Sequence, residues 1–335
     1  MSRMQDIKRL ARRFAWYTEA RQFYLQVLRA GNVRKYAAYA YYRFFVRRMV
    51  WRSVRPIDRA PADDAYSIHL LCSHQDIDML LWAVASWCRA VPETGQIYVH
   101  EDGSFTAADR ALLARVAPHV RVIDLDGASR QAHDAWLADF PEARKKRDAY
   151  RDYVFIIKLI DPYFVSPAPA RLILDTDILW FAEPEELLAR IRDDRQTPFM
   201  QQGERHVVKS AADEQGRVEA FRFTDGTSVE PALFALNSGI VGYHTSEFSL
   251  RDLETFCARI DIAAPFHFYE QVGYAWILSQ HAEIRPLSAE AYLIRGSVRE
   301  GVVARHYTGP RRDQFSSEGI RLLARCILKP GTTSP

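Results

Sequence analysis

The sequence predicts an α/β fold on a mostly parallel central sheet, with helices on both faces and a basic helical extension at the N-terminus. Three observations carry this. Apolar runs of strand length alternate with amphipathic helical stretches from residue 66 to residue 175. The 335-residue chain is 48% hydrophobic and 26% charged, enough for one large core plus an extension. The charge is also divided: residues 1–60 carry 15 Lys/Arg against 3 Asp/Glu, and the remainder carries 30 against 39.

The extension, residues 1–60, reads as helices. Ile7, Leu10, Phe14 and Tyr17 recur at helical spacing, as do Phe23, Val27 and Leu28. Gly31-Asn32 reads as a stop, and a second helix runs from Val33 to Trp51. It mixes Tyr36, Tyr39, Tyr41, Tyr42, Phe44, Phe45 and Trp51 with Arg34, Lys35, Arg43, Arg47 and Arg48. Rings beside cations suit a membrane interface, where aromatics sit at headgroup depth and Lys/Arg meet anionic lipid. They suit equally an extension that packs on the body through its apolar face. Nucleic acid is not an expected partner. Met1 to Arg13 has no apolar signal-peptide region, and no run of about 18 apolar residues is present to span a bilayer. The expected location is cytoplasmic, with the arm suited to the cytoplasmic face of the inner membrane. Cys72, Cys88, Cys257 and Cys326 form no paired motif and are expected as free thiols of a reducing compartment.

A polar linker, Arg55-Pro56 to Asp63-Asp64, leads into the body, residues 66–330. Strands are predicted over 66–72, 96–100 and 120–123, and helices over 76–90 and 106–116, the latter capped by Thr106 with Asp109 three residues on. Helices follow around 131–139 and 143–163, and then the strand Arg171-Leu172-Ile173-Leu174. The second half is less regular. Hairpin arms are predicted at 204–209 and 217–223, a strand and turn over 232–243, and helices over 249–260, 267–279 and 317–327.

Asp175-Thr176-Asp177 follows that buried strand. Strand alternation puts both carboxylates on one side, at the end of the sheet where ligands bind in open α/β folds. Two converging carboxylates repel unless a cation joins them. An oxygen-ligated Mg²⁺ or Mn²⁺ bridging to a diphosphate satisfies both; a plain turn after a core strand is the competing reading. Asn237-Ser238-Gly239 offers an amide for sugar hydroxyls and a glycine for close backbone approach, or else a tight turn. His306 can complete a metal shell, Gly309 allows a turn, and Arg312, two residues past Pro310, can neutralise a leaving diphosphate.

The order of these pieces resembles the GT-A-fold glycosyltransferases, in particular the family 8-type (glycogenin- and galactosyltransferase-like) branch and its bacterial relatives. The likeness covers roughly residues 66–327. It rests on Leu174 with Asp175 and Asp177, on Asn237-Ser238-Gly239, and on His306 with Gly309 and Arg312, where Arg312 stands in place of the pattern's Lys. The resemblance implies transfer of a sugar from a nucleoside diphosphate sugar, with UDP favoured and retention of configuration, to a glycan or lipid-linked acceptor. Polysaccharide biosynthesis is the implied setting. It implies Asp175, Asp177 and His306 as ligands to Mn²⁺ or Mg²⁺. Arg312 and Arg311 would bind the diphosphate. Cys72, Ser73 and His74, after the first strand, would meet the nucleotide, with Thr176 and Gly309 lining the same region. Lys158 would contact the donor, and Glu270-Gln271 would lie by the donor sugar.

Two rivals remain at this stage. A haloacid-dehalogenase-type phosphohydrolase also uses a strand and DxD, but there the motif starts the domain. A nucleotide-sugar-binding protein without catalysis would keep the same scaffold.

Overall fold

The structure, a computed structural model, describes residues 20–21, 23–48, 51, 56–57, 60–125, 133–195, 197–203, 221–230, 233, 235–264, 266 and 268–328. The chain forms two compact units, Met1–Val54 with Tyr307–Pro335, and Arg55–His306.

In the smaller unit a helical segment, Tyr24–Arg29, turns at Gly31, whose φ of 62° suits glycine. Helix α1 (Val33–Ala40) then starts, capped by Asn32, whose side chain accepts from the Lys35 amide at 3.1 Å, and the chain stays helical through Tyr41–Val46. Tyr39, Arg47 and Trp51 are buried. The Arg47 guanidinium lies over the Phe315 ring at 5.9 Å. Phe315 also meets Tyr307 edge-on, and Tyr307 Oη donates to Glu318 at 3.1 Å.

In the larger unit β1 (Tyr66–Cys72), β2 (Gln96–Glu101), β3 (Arg121–Ile123) and β4 (Ala170–Leu174) pair in parallel, in the order β3-β2-β1-β4. β4 is buried throughout, as a central strand covered on both faces must be. Helix α2 (Ile77–Ala90) joins β1 to β2 and α3 (Ala107–Val116) joins β2 to β3. α3 carries the expected reciprocal cap between Thr106 and Asp109. The chain steps outward from β1 to β3, then returns to place β4 on the other side of β1. That reversal opens a crevice at the C-terminal ends of β1 and β4, the ligand position of open α/β sheets.

The sheet continues with β7 (Leu236–His244), antiparallel to β4 and to β6 (Phe199–Gln202), and ends at β8 (Arg285–Pro286). β6 and β7 approach closely because Gly242 leaves room for the Phe199 ring; a Cβ there would lie 2.1 Å from it. A second sheet holds β5 (Ile178–Trp180), β10 (Ala304–His306) and β9 (Tyr292–Leu293), with β10 in the middle. All four cysteines are free, and Cys72, Cys88 and Cys257 are buried.

Three sequence expectations change. The helix expected over 143–163 is broken into α4 (Pro141–Asp148) and α5 (Ile156–Ile160), followed by a turn at Pro162–Val165. The break lets Arg147 grip Asp161 through Nε at 3.2 Å and Nη2 at 2.9 Å. In one continuous helix those residues would stand about 21 Å apart along the axis. Asn237-Ser238-Gly239 is not a turn after a strand but the opening of β7 itself. Of the stretch 131–139, the described residues 133–139 hold a single helical turn that starts at His133. The hairpin arms expected at 204–209 and 217–220 lie outside the described residues. The described end shows a tight turn, with the Phe223 amide donating to the Thr227 carbonyl at 2.8 Å.

Candidate metal centre

The Asp175 amide donates to the Gly239 carbonyl at 2.9 Å, which carries the β4–β7 ladder one residue past β4. The chain then turns, with the Ile178 amide on the Asp175 carbonyl, and re-emerges as β5 in the second sheet. β5 pairs antiparallel with β10, setting His306 opposite Ile178. The change of sheet is what brings a late histidine beside the strand-end acids. His306 Nε2 lies 3.1 Å from Asp177 Oδ1 and 3.4 Å from Asp175 Oδ2. One ligand atom from each of the three residues falls within 4.8 Å of the others.

The imidazole is held from behind. Gln201 Nε2 donates to the Tyr292 carbonyl at 3.2 Å, so its Oε1 is the atom that accepts from His306 Nδ1, at 3.0 Å. Nδ1 is thereby the protonated nitrogen, and Nε2 faces the carboxylates. Gly239 makes space for the ring; a Cβ at that position would sit 2.3 Å from His306. Burial lowers the affinity of His306 for a proton, but the carboxylates of Asp177 and Asp175 outweigh it and hold the group up at about 9. The two acids draw a positive charge to Nε2. A divalent cation meets the same demand.

A second set of contacts fixes Asp175. Lys158 is buried and spends its three donors on Asp175 Oδ1 (2.6 Å), the Ser238 carbonyl (2.9 Å) and Glu270 Oε1 (3.1 Å). Burial alone would lower its basicity, yet Asp175 and Glu270 raise it above the ordinary lysine value. Burial would likewise raise Asp175, and Lys158 with His306 hold it far below the carboxylate range. Glu270 sits in the first turn of α8 (Tyr269–Ser279, counting Glu185–Arg192 and Leu250–Ala258 as α6 and α7). Its carboxylate accepts from Lys158 and Ser238 Oγ on one oxygen, and from Tyr153 Oη and the Gln271 amide on the other. Asn237 is engaged at both ends of its amide: Oδ1 accepts from the Gly239 amide, and Nδ2 donates to Gln271 Oε1 at 3.2 Å.

Leu70 pairs with Leu174 in the β1–β4 register, which sets Cys72 and Ser73 along the same sheet edge as Thr176. Cys72 and Thr176 are buried. Ser73 Oγ donates to Asp76, and the exposed His74 ring donates through Nδ1 to Asp109 Oδ2 at 2.7 Å. Gly309, Arg311 and Arg312 belong to the smaller unit, where Gly309–Arg311 form a turn and Arg311 bonds the Thr308 hydroxyl. Within the larger unit the chain thus brings together Lys158, Asp175, Asp177, Ser238, Gly239, Glu270 and His306, with Asn237 and Gln271 beside them.

Two oxygens and one imidazole nitrogen, with the opposite ring nitrogen anchored, fit a divalent ion of the Mg²⁺/Mn²⁺ class. Sequence reading missed Gln201 and Tyr153. A lone Gln or Tyr in an apolar stretch carries no pattern, and their partners lie far off in the chain.

No family profile matches the chain, and a search of curated proteins finds no match. Solved structures similar to it include mouse xyloside xylosyltransferase 1 in its apo form, at 12% identity over 73% of this chain and 98% of that one, with a TM-score of 0.46. Galactosyltransferase LgtC in complex with donor and acceptor sugar analogues matches at 16% identity over 80% and 97%, with a TM-score of 0.46. The bifunctional glycosyltransferase WbbM matches at 12% identity over 75% of this chain and 46% of its own, also with a TM-score of 0.46. Likeness at such scores carries no functional argument; the chemistry has to come from this chain's own residues.

Proposed function

We propose that the chain is a metal-dependent glycosyltransferase of the GT-A kind. It would move a sugar from a nucleoside diphosphate sugar, UDP-linked by the sequence resemblance, to a hydroxyl of a glycan or lipid-linked acceptor in envelope polysaccharide synthesis. The observation that carries this is the convergence of Asp175, Asp177 and His306, from two different sheets, at the crevice where the strand order reverses.

Asp175, Asp177 and His306 would hold Mn²⁺ or Mg²⁺. When bound, the ion supplies positive charge to the diphosphate as it departs. Lys158 keeps Asp175 ionised and points its carboxylate into the site. Cys72, Ser73, His74 and Thr176 line the edge where the nucleotide would lie. Gly309, Arg311 and Arg312 follow His306 within six residues in the sequence, and a cation there would share the diphosphate charge. The four donors on Glu270 support a positioning role, because a carboxylate so fully bonded makes a poor proton acceptor. That favours retention over an inverting reaction, which needs a carboxylate to activate the acceptor. Asn237 orients the Gln271 amide, and the pair would face the donor sugar.

The test is donor hydrolysis. With Mn²⁺ and a panel of nucleoside diphosphate sugars, slow release of nucleoside diphosphate without acceptor is expected from one donor, and EDTA should stop it. Binding of a donor with no release under any condition would make the chain a binding protein instead.

A further inference from the structure

We infer that the exposed helical face of the N-terminal arm docks on a lipid surface carrying anionic headgroups. This rests on the smaller unit alone and is independent of the proposed reaction.

Residues 20–57 contain nine Lys/Arg and no Asp or Glu. The structure sorts that segment into two faces. One is turned inward: Tyr39 and Arg47 are buried, and Arg47 is used up on the Phe315 ring. The other faces water and is apolar. Val33 is 62% exposed, Tyr41 56%, Phe44 43% and Phe45 57%. Tyr41 and Phe45 are four residues apart, which puts them on the same side of a helix. The Tyr41 and Phe45 rings stack at 6.1 Å, which fixes that side by direct contact. Across the Gly31 turn the preceding helical segment exposes Tyr24 and Leu28 as well. Arg34, Lys35 and Arg48 are exposed on the same helix as the ring row.

A helix of a water-soluble domain needs one apolar stripe, and this one has already buried a stripe. The second stripe is left facing solvent, where aromatic rings gain nothing. Charge decides what covers it. A second copy of the chain would bring the same cations against these, with no acid in the segment to answer them. A nucleic acid would satisfy the cations, but Val33 and Leu28 offer nothing to a base. An anionic bilayer surface uses both features at once: rings and aliphatic side chains enter the headgroup layer, and Arg and Lys meet phosphates. Among the described residues no helix is long and apolar enough to cross a membrane, so the arm lies in the plane of the surface.

The experiment uses the full chain and sedimented vesicles, either phosphatidylcholine alone or phosphatidylcholine mixed with phosphatidylglycerol. The chain is expected to partition onto the mixed vesicles and to leave them as salt rises. The variant Tyr41→Ser/Phe44→Ser/Phe45→Ser should weaken partition about tenfold or more. The variant Arg34→Gln/Lys35→Gln/Arg48→Gln should weaken it by about as much and flatten the salt dependence. Circular dichroism and the thermal midpoint of both variants should match the parent, since every changed residue is exposed. Equal partition onto phosphatidylcholine alone, no partition at all, or unchanged partition by the ring variant would overturn the inference. So would ring-dependent self-association without vesicles, or binding to a single-stranded oligonucleotide in preference to the mixed vesicles.

Discussion

Two clusters of buried charge lie in the larger unit, and their charges cancel in different ways. In the first, the Asp161 carboxylate is gripped by Arg147 and lies 3.1 Å from His133 Nε2. Burial raises this acid, but His133 and Arg147 more than offset it and hold Asp161 at about 2. One anion meets one permanent cation, and every strong group faces inward. In the second, Asp175 and Glu270 share the buried cation Lys158, and Asp175 and Asp177 converge on His306. The ligand atoms of Asp175, Asp177 and His306 lie within 4.8 Å of one another, a spacing that suits a divalent cation. The first cluster closes on itself, whereas the second groups three ligand atoms of the kind that hold a divalent cation.

The sharpest way to break that contrast is to cut one acid from each cluster. Asp161→Ala strands Arg147 in the interior and should destabilise the protein by about 3–5 kcal/mol in chemical denaturation. Asp177→Ala removes a candidate ligand without stranding a buried arginine, and should leave the folded state nearly as stable as before. It should instead abolish Mn²⁺ binding measured by electron paramagnetic resonance of the free ion. If Asp177→Ala unfolds the chain as badly as Asp161→Ala, both clusters are structural and the functional reading of the second is lost.

The two clusters also differ in how far the sequence exposes them. Asp175 and Asp177 are legible because a strand of continuous apolar residues ends on them, and the period of a strand fixes their common side. The alternation of elements from β1 to β4 is legible for the same reason. The partners of the closed cluster are not. Arg147 and Asp161 fall in one helical-looking stretch and His133 in the one before it, and the break between α4 and α5 is what turns Arg147 toward Asp161. Lys158 could be read as a solvated helix position, whereas the structure buries it against Asp175 and Glu270. Its burial follows from tertiary packing, which a five-residue helix does not encode. Asn237-Ser238-Gly239 was legible as a motif but not as a strand, because Asn and Gly are poor strand formers. β7 holds them by its pairing with β4 and β6.

Gln201 sharpens the contrast from within the second cluster. Gln201→Met removes the acceptor on His306 Nδ1 without touching a ligand atom. Mn²⁺ affinity should fall about 10- to 100-fold, the usual cost of losing the partner that orients a ligating histidine. Gln201→Glu restores an acceptor and should recover most of that loss. Equal weakening in both variants, in titrations of the ion alone, would show that Gln201 merely fills space. No effect in either would mean that His306 does not ligate through Nε2.

The smallest expected effect concerns the neighbours of the closed cluster. His69 Nδ1 and His100 Nε2 share one proton at 3.0 Å, and His69 Nε2 is 2.9 Å from Ser67 Oγ. Burial pushes His100 down from 6.5 to about 4, against the pull of Asp161 and with help from His133 and Arg147. Burial also lowers His69, helped by His100 and Arg171. Both histidines fold neutral. Above pH 6.5 neither state takes up the extra proton and stability is unaffected. As pH falls from 6.5 toward 4 the unfolded chain binds a proton that the native chain refuses, so stability drops. The limiting slope is about 1.4 kcal/mol per pH unit for each such histidine. Asp161 adds to the loss only further down, as pH falls from its unfolded value of 3.8 through about 2, where its pairing with Arg147 is lost. His100→Gln keeps a hydrogen-bonding partner for His69 but cannot titrate. Chemical denaturation across the mildly acidic range should therefore show a shallower loss of stability than the parent, by up to that slope. An identical slope would mean that His100 takes up its proton in the native state as readily as in the unfolded chain, and that burial beside the closed cluster does not hold it neutral.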